Sequence, residues 1–363
     1  MSERQEANSK AGAIDLPIAV IGAGLAGLAC AQALAAAGCR VDVFDKSRGP
    51  AGRMSTRRGE DTQGDWQCDH GAQYFTAQDA GFRAEVQRWQ QAGVAALWPA
   101  RIGSHDGQCF TAVSTPLERF VGTPRMTAPA AHLARTLSAL APVELHLQTT
   151  VQSLQATKAG WALTSAEHGA HAQQYRAVLL AVPAPQAPPL LAAVASSGAA
   201  LATRARMRAC WAVMVRCSSP LRFAFEGVFV NAGPLRWIAR DNSKPGRSSA
   251  PDTWLLHASP EWSESHIEDD AASVTAALLQ AFAALGGADP ASVEATAHRW
   301  RYADTAAPLT AGCWWDAGAK LGMCGDWLHG GKVEGAWLSG RALAAQVLGA
   351  GSASTSTIKG ALP

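Results

Sequence analysis

The sequence lacks most of the features that would announce a metal, nucleic-acid or secreted protein. None of its eight cysteines forms a C-x-x-C pair, and no cysteines and histidines stand at zinc-ligand spacing. No metal site is read, and the thiols read as reduced and mostly buried, in a cytoplasmic setting. Charge is scarce: 17% of residues are charged and the net balance is +2, which gives no general case for nucleic acid or a membrane surface as partner. Residues 1–13 lack the basic-then-apolar order of a signal peptide. Internal repeats are absent. Tyrosine is rare, three against thirteen tryptophans, and nine of those tryptophans fall between Trp211 and Trp337. Asp69 and His70 adjoin, but no nucleophile accompanies them. What remains is an ordinary chain of 363 residues, 48% hydrophobic, long enough for about two domains with a sizeable core.

The most informative stretch runs from Pro17 to Arg58. A short apolar run, Ile18 to Ile21, reads as a buried strand. Gly22, Gly24 and Gly27 follow at G-x-G-x-x-G spacing, then an alanine-rich helix, then a second apolar run, Val41 to Phe44, ending in Asp45. Gly22 permits a tight turn, Gly24 lets a pyrophosphate approach the backbone, and Gly27 lets helix and strand pack closely. The helix start offers free N–H groups to phosphate. Asp45, roughly 20 residues past the glycines, stands where a carboxylate accepts ribose hydroxyls. The apolar length from Leu16 to Cys39 also suits a membrane span. The glycines clustered at one end, and the strand ending in an acid, argue for a dinucleotide site instead.

The residues after Asp45 bear on which dinucleotide. Lys46, Arg48, Gly49, Gly52, Arg53, Arg57 and Arg58 form a glycine-and-arginine segment directly after the second strand. It resembles the R-x-G-G-R-type segment that lies along the FAD pyrophosphate in glutathione-reductase-like flavoproteins, except that Ala51 stands where the first glycine belongs. The alternative is an exposed basic loop.

Farther on, Asp65 to Phe75 reads as a loop and strand beside the flavin, with Gln73, Tyr74 and Phe75 nearest it. A helical pattern spans Ala80 to Trp98. Phe110 to Pro129 is turn-rich and leads into a helix, and Val143 to Leu147 alternates as a strand. Three strands in a meander are expected at 151–155, 161–165 and 178–182. Pro183 to Pro189 reads as a linker. Short alternating strands between Ala209 and Ser259 predict an antiparallel sheet, covered in part by a helix from Asp269 to Leu285. His298 to Asp304 is expected as a strand returning to the first domain. Near the end, Leu321 to Cys324 is a short strand followed by Gly325 and Asp326. The aspartate can reach the ribityl chain or a phosphate-linked hydroxyl. Glycines 330, 331 and 335 let backbone N–H groups approach the flavin ring, and a helix follows to about Leu348. A glycine-rich turn before a final helix is the plainer alternative.

The segments DKSRGPAGRMSTRR, DHGAQYF, LLAVPAPQ, RWIARDNSKPGR, HASPEWS, HRWRYA and CGDWLHGGKVEGAWLSG occur in this order. Together they resemble the bacterial renalases, over nearly the whole chain from about Pro17 to Gln346. The resemblance implies an α/β fold: a Rossmann-like FAD-binding domain of the glutathione-reductase and p-hydroxybenzoate-hydroxylase kind, and a second α+β substrate domain with an antiparallel sheet. The FAD-binding domain would comprise residues 14–75, 126–185 and 298–350, the substrate domain 76–125 and 186–297, with disordered tails at 1–13 and 351–363. FAD would be held non-covalently by Gly22, Gly24, Gly27, Asp45, Lys46, Arg53, Met54, Gln73, Tyr74, Phe75, Val151, Gly325, Asp326, Glu334, Gly335 and Ala336.

Tyr74, Asn242, His257 and Trp300 would surround the substrate ring, and each also suits a packing role. The implied reaction is oxidation of the 2- or 6-dihydro isomers of NAD(P)H to NAD(P)⁺, with molecular oxygen as acceptor and hydrogen peroxide as product. The partners implied are a small dinucleotide substrate and oxygen, with no nucleic acid and no membrane; no oligomeric state is assigned. Hydride loss from a dihydropyridine needs no general base, and none is evident. Arg236, Arg240, Lys244 and Arg247 are expected near the pocket mouth, where they would suit a phosphate-bearing substrate. The alternatives are an amine oxidase, which would place an aromatic cage and a lysine near the flavin, with Lys332 the only lysine in the closing segment, and a flavin-binding protein without redox turnover.

Overall fold

The computed structural model describes residues 16–61, 64–115, 117–140 and 143–353. The expected tail at 1–13, and residues 354–363 of the one expected at 351–363, lie outside these residues. Ile18–Ile21 sits within a six-stranded sheet, in the order Trp314–Asp316, Leu321–Met323, Ala177–Leu180, Ile18–Ile21, Val41–Phe44, Val143–His146. The pairings are parallel except that of Trp314–Asp316, which runs antiparallel to its neighbour at the edge. Central strands of such a sheet are covered on both faces, which explains why Ile18–Ile21 and Ala177–Leu180 are uninterrupted apolar runs, buried throughout.

Helices Leu25–Ala36, Ala128–Leu140 and Lys332–Ala353 contribute to the core on one face of this sheet. The first and last approach backbone to backbone: a Cβ on Gly340 would collide with the carbonyl of Ala26. The final helix extends to Ala353, three residues into the stretch expected as a tail. The other face packs on a three-stranded meander, Val151–Ala156, Trp161–Ser165 and Gly169–Tyr175. The third strand differs from expectation. Residues 178–182, expected in that place, lie elsewhere: Gly169–Tyr175 closes the meander and Ala177–Leu180 enters the parallel sheet. Gly169–Tyr175 is polar and buries only Tyr175, so it carries no apolar alternation to announce it.

The second sheet has seven strands, in the order Val293–Thr305, Met207–Cys217, Asp252–Ala258, Leu235–Arg240, Gly227–Val230, Ile102–His105, Phe110–Ala112. It is antiparallel apart from the Gly227–Val230 and Ile102–His105 pair. One face buries Val213, Val215, Trp254 and Leu256 with Val274, Leu278 and Phe282 of helix Ala271–Ala284. Each such side chain removed from water contributes about 1.5–3 kcal/mol. The opposite face, with Ala212, Met214, Leu255 and Trp300, packs against Trp66 and Cys68.

Several expectations need correction. His298–Asp304 does not return to the parallel sheet; it belongs to the 13-residue edge strand Val293–Thr305 of the second sheet. The helix expected over 80–98 stops at Gln91. Gly93, at φ 70°, donates to Gln90 O, and Val94 N donates to Trp89 O, the close of a helix by a left-handed glycine. Ala95–Leu97 then pairs with Phe120–Gly122. The expected linker Pro183–Pro189 is taken up by the helical turns Ala184–Gln186 and Pro188–Leu191, and Ala184, Ala187 and Leu191 are buried. Among the described residues, no helix is long and apolar enough to cross a membrane.

Candidate functional site

The glycine turn is built as its spacing predicts. Gly22 has φ 113°, open to glycine at no steric cost, and a Cβ there would strike the carbonyl of Ala181. A Cβ on Gly27 would strike the carbonyl of Gly22, so the helix can lie this close only with glycine. Gly24 is different: nothing lies within 4 Å of where its Cβ would be. That open space adjoins the start of helix Leu25–Ala36, whose first turn has no side-chain cap and no acidic residue. The helix end therefore keeps its donors and its positive pole for a phosphate. Asp45 closes the cradle, its Oδ2 accepting from Ala23 N and its Oδ1 from Ser47 N, each at 2.7 Å. Each carboxylate oxygen keeps acceptor capacity for a ribose hydroxyl. Thr149 N donates to Asp45 O, which brings the start of the meander, with buried Val151, to the same place. Lys46 is exposed beside it.

The basic segment is not a free loop. Ala51 N donates to Ala23 O, and Ala51 bridges to Gly24, laying the segment along the glycine turn. Ala51 has φ 120°, a backbone conformation that suits the glycine absent there. Arg53 reaches across the fold to Asp326, with Nη2–Oδ1 at 2.5 Å and Nη1–Oδ2 at 3.1 Å, and also donates to Ala303 O. This two-pronged pair ties the early segment to the closing one, 273 residues later. Met54 is buried below it. Gly325 N donates to Ser339 Oγ. Glu334 Oε1 accepts from Gln78 N and Asp79 N. A Cβ on Gly335 would collide with His329 O, and Ala336 is partly buried next to it. Lys332 is exposed.

The residues expected around the substrate ring form two groups. The carbonyl of His70 accepts from both His257 Nε2, at 3.1 Å, and Trp300 Nε1, at 2.9 Å. The His70 ring stacks on Trp300 at 5.1 Å and meets His298 edge-on at 4.6 Å. Burial, with the neighbouring His298 and His257, lowers the His70 pKa to about 3. Burial likewise lowers His257 to about 4, against the opposing hydrogen bond to His70. His298 is lowered by burial and by Arg57. All three rings are neutral at neutral pH. Across the sheet His257 is in register with Trp237. Trp237 and Trp98 both contact Tyr74, at 5.9 and 6.3 Å, and the Arg119 guanidinium lies 5.3 Å from the Tyr74 ring centre. Asn242 joins neither group: its Nδ2 donates to Ser249 O and its Oδ1 accepts from Thr253 N. Phe75 packs among Phe82, Trp89 and Phe120.

Residues 20–87 match the NAD(P)-binding Rossmann-like domain. The chain is 31% identical over 197 residues, 45% of its length, to the tRNA 5-methylaminomethyl-2-thiouridine biosynthesis bifunctional protein of Magnetococcus marinus. It spans only 29% of that protein. The whole fold is shared with solved structures at low identity. An oxidoreductase of Methanosarcina mazei has a TM-score of 0.67 at 11% identity, covering 90% of this chain and 99% of its own. Cyclohexylamine oxidase of Brevibacterium oxydans gives 0.68 at 12%, over 94% of this chain and 100% of its own. Putrescine oxidase bound to putrescine gives 0.66 at 12%, over 92% and 99%. The fold is thus α/β, a Rossmann-like domain with a second, antiparallel sheet.

Between the Rossmann-like domain and the second sheet lies a group of charges that the sequence reading missed. Lys244, with a fully buried side chain, contacts Asp241 at 2.8 Å, Asp69 at 3.1 Å and Gln73 Oε1 at 3.3 Å. Arg247 Nη2 lies 2.5 Å from Asp69. Asp69 also accepts from Thr56 Oγ1 and Met126 N. Burial works to raise the Asp69 pKa, but Lys244 and Arg247 outweigh it and hold the carboxyl well below its usual range. Two carboxylates and two cations balance.

This arrangement corrects the expectation that Arg236, Arg240, Lys244 and Arg247 await a phosphate. Arg236 pairs with Asp304 and Arg240 with Asp252, while Lys244 and Arg247 pair with the buried aspartates. No pattern in the sequence marked them: Asp69 lies in the polar stretch DWQCDHGAQ, and Asp241 and Lys244 in the polar turn RDNSKPGR. Elsewhere, Asp42, Glu144 and His146 offer ligand atoms within 4.8 Å of one another, and Asp42 is already engaged by Tyr175.

Proposed function

We propose that this chain is a flavoprotein oxidase that holds FAD non-covalently and oxidises 2- or 6-dihydro isomers of NAD(P)H to NAD(P)⁺. The cradle supports the cofactor assignment: the open space at Gly24, the uncapped helix start and Asp45 suit the pyrophosphate and adenosine ribose. Arg53, Asp326 and the backbone around Gly325 and Gly335 suit the remainder. Bound FAD supplies the hydride acceptor and the route by which the electron pair reaches oxygen, with hydrogen peroxide as product.

The observation that carries the substrate reading is the burial of His70 and His257, joined through the His70 carbonyl, which lowers their pKa values to about 3 and about 4 and keeps both rings neutral. Groups this weakly basic are poor proton acceptors at neutral pH. They suit a reaction in which hydride leaves a dihydropyridine, driven by the ring-nitrogen lone pair and regained aromaticity. The protein's work is then to bind and orient. Tyr74 and Trp300 serve as walls for the flat ring. His257 donates through Nε2 to His70 O, so its Nδ1 is the acceptor left for a carboxamide N–H. Asn242, with its amide engaged at both ends, holds the turn that carries Lys244.

Amine oxidation is the second reading. The aromatic group of Tyr74, Trp98 and Trp237, and the buried Lys244 beside Gln73, favour it. Oxygen uptake with each class of compound tests the choice. The first reading expects peroxide and NAD(P)⁺ in equal amounts from a 2- or 6-dihydro isomer; peroxide formed only with an amine overturns it.

A further inference from the structure

With the four expected cations paired internally, a different residue stands ready for the substrate's negative charge. Arg119 is only 8% exposed. Among the described residues it has no carboxylate partner: Nη1 donates to Leu117 O at 3.3 Å, and Nε has no acceptor. The other charges nearby are committed, Arg101 to Glu226 and Glu118 to Arg83. A buried guanidinium without a counter-ion is costly, and its position over Tyr74 offsets only part of that cost. The side chain also lines a groove of about 660 Å³, walled by Trp98, Ala100, Ile102, Val113 and Phe225. That volume is typical of a site for a small organic ligand, about 300–1,000 Å³.

We propose that Arg119 is the anion anchor of this groove, binding the phosphate on the nicotinamide side of a dinucleotide substrate. The inference rests on the substrate reading above and deepens it. Tyr74 lies against both Arg119 and Trp237, and Trp237 is in register with His257. A flat ring lying against Tyr74 has its ribose phosphate within reach of the guanidinium, which lies 5.3 Å from the Tyr74 ring centre. The planar fork with an unsatisfied edge suits a phosphate better than a neutral or cationic group. An amine would meet repulsion there.

Calorimetric titration of the FAD-loaded protein with nicotinamide mononucleotide and with nicotinamide riboside, which differ by one phosphate, tests the anchor. The wild type is expected to bind the mononucleotide ten- to hundredfold more tightly, as for a charge-assisted hydrogen-bonded pair. Arg119→Gln should abolish that preference. Equal affinity in the wild type, or an undiminished preference in Arg119→Gln, overturns the proposal. Should Arg119→Gln fail to fold, Arg119→Lys decides, because it keeps the charge and loses the fork. A preference reduced several-fold supports the anchor, and one as large as the wild type's refutes it. Binding is read without turnover, so this result stands apart from whether any dihydronicotinamide reduces the flavin.

Discussion

Replacing Lys244 with methionine should unsettle the whole junction between the two sheets. The ammonium sits with no solvent exposure among Asp69, Asp241 and Gln73, and the two carboxylates are almost as deeply buried. Methionine matches the length of the side chain and removes the charge. Arg247 then faces two buried carboxylates alone. Removing one partner of a buried ion pair costs about 3–5 kcal/mol, against a total stability of about 5–15 kcal/mol for ordinary proteins. With an unfolding slope of about 2–3 kcal/mol/M in urea, the midpoint should fall by about 1–2.5 M. The pH dependence fixes the cause. In Lys244→Met the folded pKa values of Asp69 and Asp241 rise, so folding takes up protons and the mutant's deficit shrinks as pH falls from 7 toward 5. Urea titrations of both proteins at pH 7 and pH 5 measure this. A midpoint within 0.3 M or so of the wild type at pH 7, well below the shift expected from a broken buried pair, would refute the account of the cluster. So would a deficit that grows on acidification.

Two further outcomes are expected. Asp45→Ala should weaken FAD retention about ten- to hundredfold, read by dialysis against apoprotein, while the flavin that stays bound reacts as in the wild type. The rate constant for flavin reduction at saturating substrate should be flat from pH 6 to 8, because His70 and His257 lose their protons near pH 3 and 4; a break near the ordinary histidine value of about 6.5 would show that one of them titrates in the working range.

The parts of this molecule legible in the sequence are those whose chemistry is local. The strand, three glycines, helix and acid of residues 18–45 are contiguous; Gly22 and Gly27 have steric reasons of their own and Gly24 leaves open space at the helix start, so spacing alone announces them. The strands around Trp211, Trp237 and Trp254 announce themselves as short apolar and aromatic runs. The contacts among the residues proposed to face the substrate are of another kind. The common acceptor for His257 and Trp300 is the backbone carbonyl of His70, which no side-chain pattern reveals. Lys244 meets Asp69 across 175 positions, and its neighbours Arg236 and Arg247 looked equally free until their carboxylate partners were located. Gly169–Tyr175 escaped notice because an exposed strand needs no apolar face. Ala95–Leu97 did so because it begins one residue after the turn that ends a helix of similar composition.

The central claim is tested most directly by anaerobic stopped-flow mixing of the FAD-loaded protein with 2-, 4- and 6-dihydro-NAD(P), benzylamine and spermine, following loss of the oxidised flavin absorbance. The account predicts rapid bleaching by the 2- or 6-dihydro isomer, with NAD(P)⁺ as product, and much slower reaction of the 4-dihydro form, whose hydride sits elsewhere on the ring. Faster bleaching by either amine than by both unusual isomers would contradict it.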